Sequence, residues 1–200
     1  MKIDFYGNSK IFLETCLTKT LAQIDIIRKY EKLKGNDDPV SYITSRIKSE
    51  ESMKEKLKRK GFDVNVENAL TKVFDAVGVR IICPYIDDIY KIVRILKNSN
   101  EYVVINEKDY VKNPKKNGYR SYHLILAESI EIEDIKKNIY VEIQIRTIAM
   151  DFWSSLEHEM KYKKEIKNTE LIVEELKKCA DIIATTDLNM QTIKNLINGK

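Results

Sequence analysis

Residues 77–83 read Val-Gly-Val-Arg-Ile-Ile-Cys, a run dense in β-branched side chains that Pro84 closes. No other segment constrains the fold as much, because a strand so continuously apolar is a buried one. Helical periodicity surrounds it. Leu17, Leu21, Ile24 and Ile27 predict an amphipathic helix over residues 11–34 that stops at Gly35. Asp37-Asp38-Pro39 reads as a helix-start signal, and a second helix is expected from Ser45 to Lys60, ending at Gly61. Ile43 falls with Met53 and Leu57 on the side that anchors it. Ile89, Ile92, Val93 and Leu96 give a helix over Ile86–Lys97. Further strands are expected at Tyr102–Ile105, at Tyr119–Leu126 behind the turn pair Asn117-Gly118, and at Tyr140–Arg146.

Two more helices are expected, Ile148–Lys164 and Glu170–Ile197. The latter carries a stripe of Ile172, Leu176, Cys179, Ile183, Met190 and Ile197, for packing on the N-terminal helix or on another subunit. The result is an α/β (α+β) chain with a mixed central sheet flanked by helices. It reads as one domain over 1–200: a helical part to about 62, a sheet core at about 73–147 and C-terminal helices from 148.

The bulk numbers narrow the function. Two hundred residues can bury a real core, and 43% apolar residues is ordinary for a folded chain. A net charge of +4 suits polyphosphate ligands and falls short of a nucleic-acid coat protein. Cys16, Cys83 and Cys179 form no CxxC pair, so neither a disulfide framework nor a zinc site is expected, and a reducing cytoplasm is the natural home. Residues 1–5 lack a signal-peptide h-region, and no run approaches the roughly 20 apolar residues that span a bilayer.

Four places carry chemistry. Lys48, Ser52, Lys56 and Arg59 recur at spacings of four, four and three, which on a helix lines one face for phosphate; a solvated lysine-rich surface is the bland alternative. Arg46 adds a planar cation just upstream. In Tyr140–Arg146, Val141, Ile143 and Ile145 face one way and Tyr140, Glu142, Gln144 and Arg146 the other, toward solvent or, for Glu142 and Gln144, toward a nucleotide or metal. The loop Asn113–His123 presents Lys115 and Lys116, with Tyr119, Ser121 and His123 on one strand face; an aromatic ring beside cations can stack on a base, and His123 serves equally as a structural hydrogen bonder. Asp75 precedes the buried strand, where an Asp is usually a turn residue. Arg80 inside that strand needs an anionic or stacked partner, and Gly78 leaves room for a ligand.

In this order the elements resemble the synthetase domain of the RelA/SpoT family, in its small single-domain RelQ type. The carrying motifs are Ser45-Arg46-Ile47-Lys48 with Ser52, Lys56 and Arg59; Asp75–Arg80; Asn113–His123; Glu142–Thr147; and Trp153–His158. The resemblance implies a nucleotidyltransferase-like fold with long terminal helices. It also implies transfer of pyrophosphate from ATP to the ribose 3′-hydroxyl of GDP, GTP or GMP, by attack on the β-phosphorus with AMP leaving. By residue it implies Arg46 and Arg80 about adenine, Lys48, Ser52, Lys56 and Arg59 on the ATP phosphates, and Asp75 with Glu142 on Mg²⁺. Tyr119 would stack on guanine, with Lys108, Lys115 and His123 toward the acceptor phosphates and Gln144 nearby. Glu142 would take the 3′-hydroxyl proton. A homotetramer activated by its own alarmone product is implied as well, with Tyr42 where an aromatic would line the activator's cleft. The sequence departs from the pattern at Lys116, often proline, and at Lys108, often arginine; both bear on acceptor preference.

A magnesium-dependent nucleotidyltransferase is the rival enzyme, but the chain has no D-x-D pair. A catalytically silent nucleotide- or RNA-binding regulator is the other alternative, weighed against a full set of competent residues. RNA binding as a secondary activity is compatible with the mild basic excess. Alarmone hydrolysis is not expected, since neither His123 nor His158 precedes an Asp.

Overall fold

The computed structural model describes residues 5–162 and 169–199. A short 3-10 turn leads into helix α1 (Lys10–Leu33), then strand β1 (Tyr42–Ile47) and helices α2 (Glu50–Arg59) and α3 (Val66–Thr71). Next come β2 (Val77–Cys83), α4 (Ile86–Lys97), β3 (Val103–Asp109), β4 (Tyr122–Ile132) and β5 (Ile135–Thr147). Helices α5 (Ile148–Tyr162) and α6 (Thr169–Ile197) finish the chain. The strand order is β1-β2-β5-β4-β3, with β2 and β5 parallel and the other neighbours antiparallel.

Alternation along the strands sorts the sheet into a dry face and a polar one. Val77, Val79 and Ile81 of β2, Val141, Ile143 and Ile145 of β5, and Leu124 and Leu126 of β4 are buried, and α1 and α4 pack on this apolar layer. The opposite face carries Arg80, Glu142, Gln144 and His123, all only partly covered. Helix α1 buries Leu13, Cys16, Ile24 and Ile27, with Leu17 and Leu21 at the margin; α4 buries the four residues its periodicity marks.

The second helix is shorter than expected. Tyr42–Ile47 is an edge strand paired with β2, and the helix begins only at Glu50, with Ser49 as N-cap. Tyr-Ile-Thr-Ser-Arg-Ile is aromatic and β-branched, which favours the pleated edge over a helix. Ile43 and Lys48 therefore lie outside the helix. Asp38 opens no helix either: it accepts from the Val40 N–H at 2.9 Å and pairs with Arg28 at 2.7 Å. The helix stop is as read. Gly61 takes φ +74°, its N–H bonds the Lys58 carbonyl at 3.0 Å and that of Phe62 bonds Leu57 at 3.0 Å, a Schellman cap.

Helix α3 and the tight β4–β5 turn, with Glu133 at φ +52°, were not expected, and β3 and β5 run beyond their predicted bounds. Residues 163–164 of the expected Ile148–Lys164 helix lie outside the described residues. The stripe on α6 is corrected: Cys179, Met190 and Ile197 are exposed, whereas Ala180, Asp187 and Gln191 are buried. The helix docks by polar contacts, Asp187 to Thr147 at 2.6 Å and Gln191 to Asp87 at 3.0 Å, and its main neighbours are α5 and α4 rather than the N-terminal helix.

Candidate active site

Strand register assembles the site. One row across the polar face runs Thr44, Arg80, Gln144, His123, Lys108 through all five strands, and the adjacent row runs Arg46, Gly78, Glu142, Ile125, Asn106. Residues from five separate strands thus become neighbours on a rigid ladder. Asp75, just ahead of β2, joins them because the Lys48 N–H bonds the Ala76 carbonyl at 2.8 Å and ties the exit of β1 to the entry of β2.

Two clefts open on this face. The first, about 180 Å³, is lined by Arg46, Asp75, Gly78, Arg80, Glu142 and Gln144 among others. The second, about 460 Å³, is walled by Lys56, Lys60, Lys108, Tyr110, Lys115 and His123, and again by Asp75 and Glu142. The two carboxylates therefore form the partition between a cleft with two arginines and one with lysines and aromatic rings.

Both carboxylates are held ionised. Burial works to raise the Asp75 pKa, but the Lys56 hydrogen bond (2.5 Å) and the charge of Lys48 (3.1 Å) override it and hold the group below its ordinary value. Both lysines crowd onto Oδ2, while Oδ1 is buried without a hydrogen-bond partner. Burial also opposes the charge on Glu142. His123 Nδ1, 3.4 Å from Oε1, and Gln144 Nε2, 3.0 Å from Oε2, outweigh that and lower its pKa, with Asp75 pulling the other way.

Behind His123 a chain of side chains continues. Arg146 donates to the Tyr119 hydroxyl at 2.7 Å, leaving that hydroxyl's own proton for His123 Nε2 at 2.8 Å. Such an arrangement puts the ring proton on Nδ1, toward Glu142. Arg146 also reaches Gln144 at 3.0 Å and Asp151 at 3.0 Å. Asp151 in turn accepts from Arg80 at 3.4 Å and from Tyr42 at 2.9 Å. Burial and the nearby Arg146 lower the pKa of Arg80, with Asp151 opposing, and its Nε is buried without a partner. Lys115 Nζ lies over two rings, 4.6 Å from the Tyr119 centroid and 4.8 Å from that of Tyr110.

Of the expected site residues, Arg46, Arg80 and Gln144 gather in the first cleft, and Lys56, Lys108, Lys115 and His123 in the second. Lys48 reaches Asp75 from the loop after β1, so it does not share a helix face with Lys56. Ser52 and Arg59 are exposed on α2 and line neither cleft; the Ser52 hydroxyl lies 3.0 Å from Ser49 Oγ. Tyr119 precedes β4 rather than lying in it and lines neither cleft, reaching the second only through His123 and Lys115, and Ser121 is fully buried, donating to the Ile145 carbonyl at 3.3 Å.

Sequence reasoning missed Arg146, Asp151 and Tyr110. The signal for Arg146 was its place on the polar face of the alternating strand, beside Glu142 and Gln144. Asp151 and Tyr110 carried none.

Residues 45–167 match the family described as a region found in RelA / SpoT proteins. The chain is 40% identical over 173 residues to the GTP pyrophosphokinase YwaC of Bacillus subtilis, spanning 86% of this chain and 82% of that one. Small alarmone synthetase 2 from Bacillus subtilis superposes with a TM-score of 0.83 at 37% identity, covering 94% and 97% of the two chains. Small alarmone synthetase 1 from the same organism, solved with its product pppGpp, gives 0.82 at 29% identity over 92% and 94%. By family region, identity and fold alike, the chain belongs to the RelA/SpoT family.

Proposed function

We propose that this protein is a GTP pyrophosphokinase of the small alarmone synthetase kind, which moves the β,γ-pyrophosphate of ATP to the 3′-hydroxyl of a guanosine nucleotide and releases AMP. The observation that carries the reading is the partition: Asp75 and Glu142 stand between two cationic clefts of different character. Transfer between two nucleotides needs the donor's β-phosphorus and the acceptor's hydroxyl to meet at one ionised wall.

On this reading the first cleft is the donor side. Arg46 and Arg80 offer two guanidinium planes to adenine, and Gly78 lets a base or phosphate approach the sheet. Lys48, and Lys56 from the second cleft's side of the carboxylate wall, exchange part of their hold on Asp75 for phosphate oxygens, with Ser52 and Arg59 farther along α2. The second cleft takes the acceptor, Tyr119 stacking on guanine and Lys108, Lys115 and His123 meeting its phosphates. Gln144 holds Glu142 beside the hydroxyl to be deprotonated.

A divalent cation fits the carboxylate wall, because Asp75 has a buried oxygen with no partner and Glu142 is ionised beside it. Among the described residues no cluster of three or more acidic, His or Cys side chains could hold a metal. Two hard carboxylates suit Mg²⁺, which completes its shell with water and phosphate. When bound it supplies neutralisation of charge on the phosphates. We further propose one synthetase domain over 1–200, working in the cytoplasm as a homotetramer. No helix among the described residues is long and apolar enough to cross a membrane.

The test is direct. Purified protein with ATP, Mg²⁺ and GMP, GDP or GTP in turn should give AMP and the 3′-pyrophosphorylated acceptor on anion-exchange chromatography. Release of inorganic pyrophosphate with a nucleotidylated product would replace this reading by the nucleotidyltransferase one.

A further inference from the structure

Arg120 stands at the end of the basic stretch that begins at Lys115, two residues past the turn pair Asn117-Gly118. The guanidinium donates to the Gly118 carbonyl at 3.1 Å, to the Ala180 carbonyl on α6 at 3.2 Å and to Asp181 Oδ1 at 3.1 Å. It is not among the residues lining the second cleft.

The same loop is gripped at two further points. Gly118 has φ +88°, and a Cβ placed there would meet the Ala180 Cβ at 2.5 Å and the Lys177 Cα at 3.4 Å, so only glycine lets the loop lie this close to α6. Asn117 donates to Glu157 of α5 at 3.0 Å while its own carbonyl oxygen accepts the Tyr119 N–H at 3.2 Å. Trp153, donating to the Leu176 carbonyl at 2.9 Å, locks α5 to α6, so both grips refer to one platform. Tyr119 is thus flanked on each side by residues fixed to the C-terminal helices. Lys115 travels with it, because its N–H bonds the Tyr119 carbonyl at 3.1 Å.

We infer that Arg120 is a positioning residue for the guanosine acceptor, acting through Tyr119 and Lys115, and that the α6 surface at Ala180–Asp181 is the platform it uses. The inference rests on the reading that Tyr119 and Lys115 serve the acceptor. The donor cleft draws on β1, β2 and β5, and none of its lining residues is a partner of Arg120.

Arg120→Ala should raise the Michaelis constant for GDP or GTP by about tenfold, within the roughly 10²-fold that a misplacement of about 1 Å can cost, and leave that for ATP within about twofold. Asp181→Ala, an exposed change outside both clefts, should shift the same constant less. The double variant should be no worse than Arg120→Ala alone, since coupled partners are non-additive. Tyr119→Ala is the control for the underlying reading. If it leaves the acceptor constant unchanged, the guanine site itself is misassigned. If it raises that constant but the Arg120 and Asp181 variants do not, the platform inference alone falls. A variant with a lowered melting temperature and equal changes toward both nucleotides marks a merely structural role and also overturns it.

Discussion

Glu142 sits where two hydrogen-bonding neighbours leave it little freedom, His123 at one oxygen and Gln144 at the other. Their combined effect keeps its pKa below the ordinary value, so it is fully ionised at neutral pH and weaker as a base than an unassisted carboxylate. A base of this kind works by placement, with the strand ladder fixing its backbone before substrate arrives. Glu142→Gln keeps the volume and removes charge and basicity together. Turnover is expected to fall by about 10²–10⁴, with both Michaelis constants little changed, in steady-state assays at saturating Mg²⁺. Near-normal turnover would remove Glu142 from the proton-transfer role. Tyr119, His123, Lys115 and Glu142 were legible as members of a turn loop and an alternating strand, and only the family resemblance gave each a role. Arg146 could not be ranked above other cations, since its importance comes from four partners scattered from residue 119 to 151.

Among elements, those whose pattern is complete within their own length were legible. The β-branched run of β2 and the apolar periodicity of α4 both give their observed bounds. The entry to α2 was not, because Ser45, Lys48, Ser52 and Lys56 keep helical spacing across a strand, a loop and a helix. What distinguishes them is the pairing of β1 with β2, thirty-four residues apart at Ser45 and Val79. The cap at Ser49 then sets where the helix begins. Its Oγ accepts the Ser52 N–H at 3.4 Å, a long bond. Ser49→Ala should therefore cost near the low end of the usual range for a cap, about 0.5–1 kcal/mol in urea unfolding, and Ser49→Gly only a few tenths. A loss of ~2 kcal/mol or more would mean that the Ser49–Ser52 hydroxyl pair does more than cap.

At the scale of the whole molecule, the C-terminal helices turn apolar side chains outward. Ile148, Phe152, Leu156 and Met160 recur every fourth residue on α5, and Ile182, Ile193, Leu196 and Ile197 stand on α6, all exposed. Apolar surface arranged at such spacing is what an assembly buries. Light scattering at micromolar concentration should give a multiple of the 23.4 kDa chain mass, four under the proposed assembly. A monomer mass would sink that assembly and leave the catalytic reading untouched. The strand order carries one last consequence, for descent rather than for chemistry. The two arginines of the proposed donor cleft are written in residues 46–80 and the cations and ring peculiar to the acceptor side in residues 108–123, while Lys56, Lys60 and Asp75 of the earlier passage also face the second cleft. Mutation can retune which guanosine nucleotide is accepted, at Lys108 or Lys116 for instance, while the donor side is inherited unaltered. Lineages of this fold are free to diverge in acceptor without passing through an ancestor that has lost its grip on ATP.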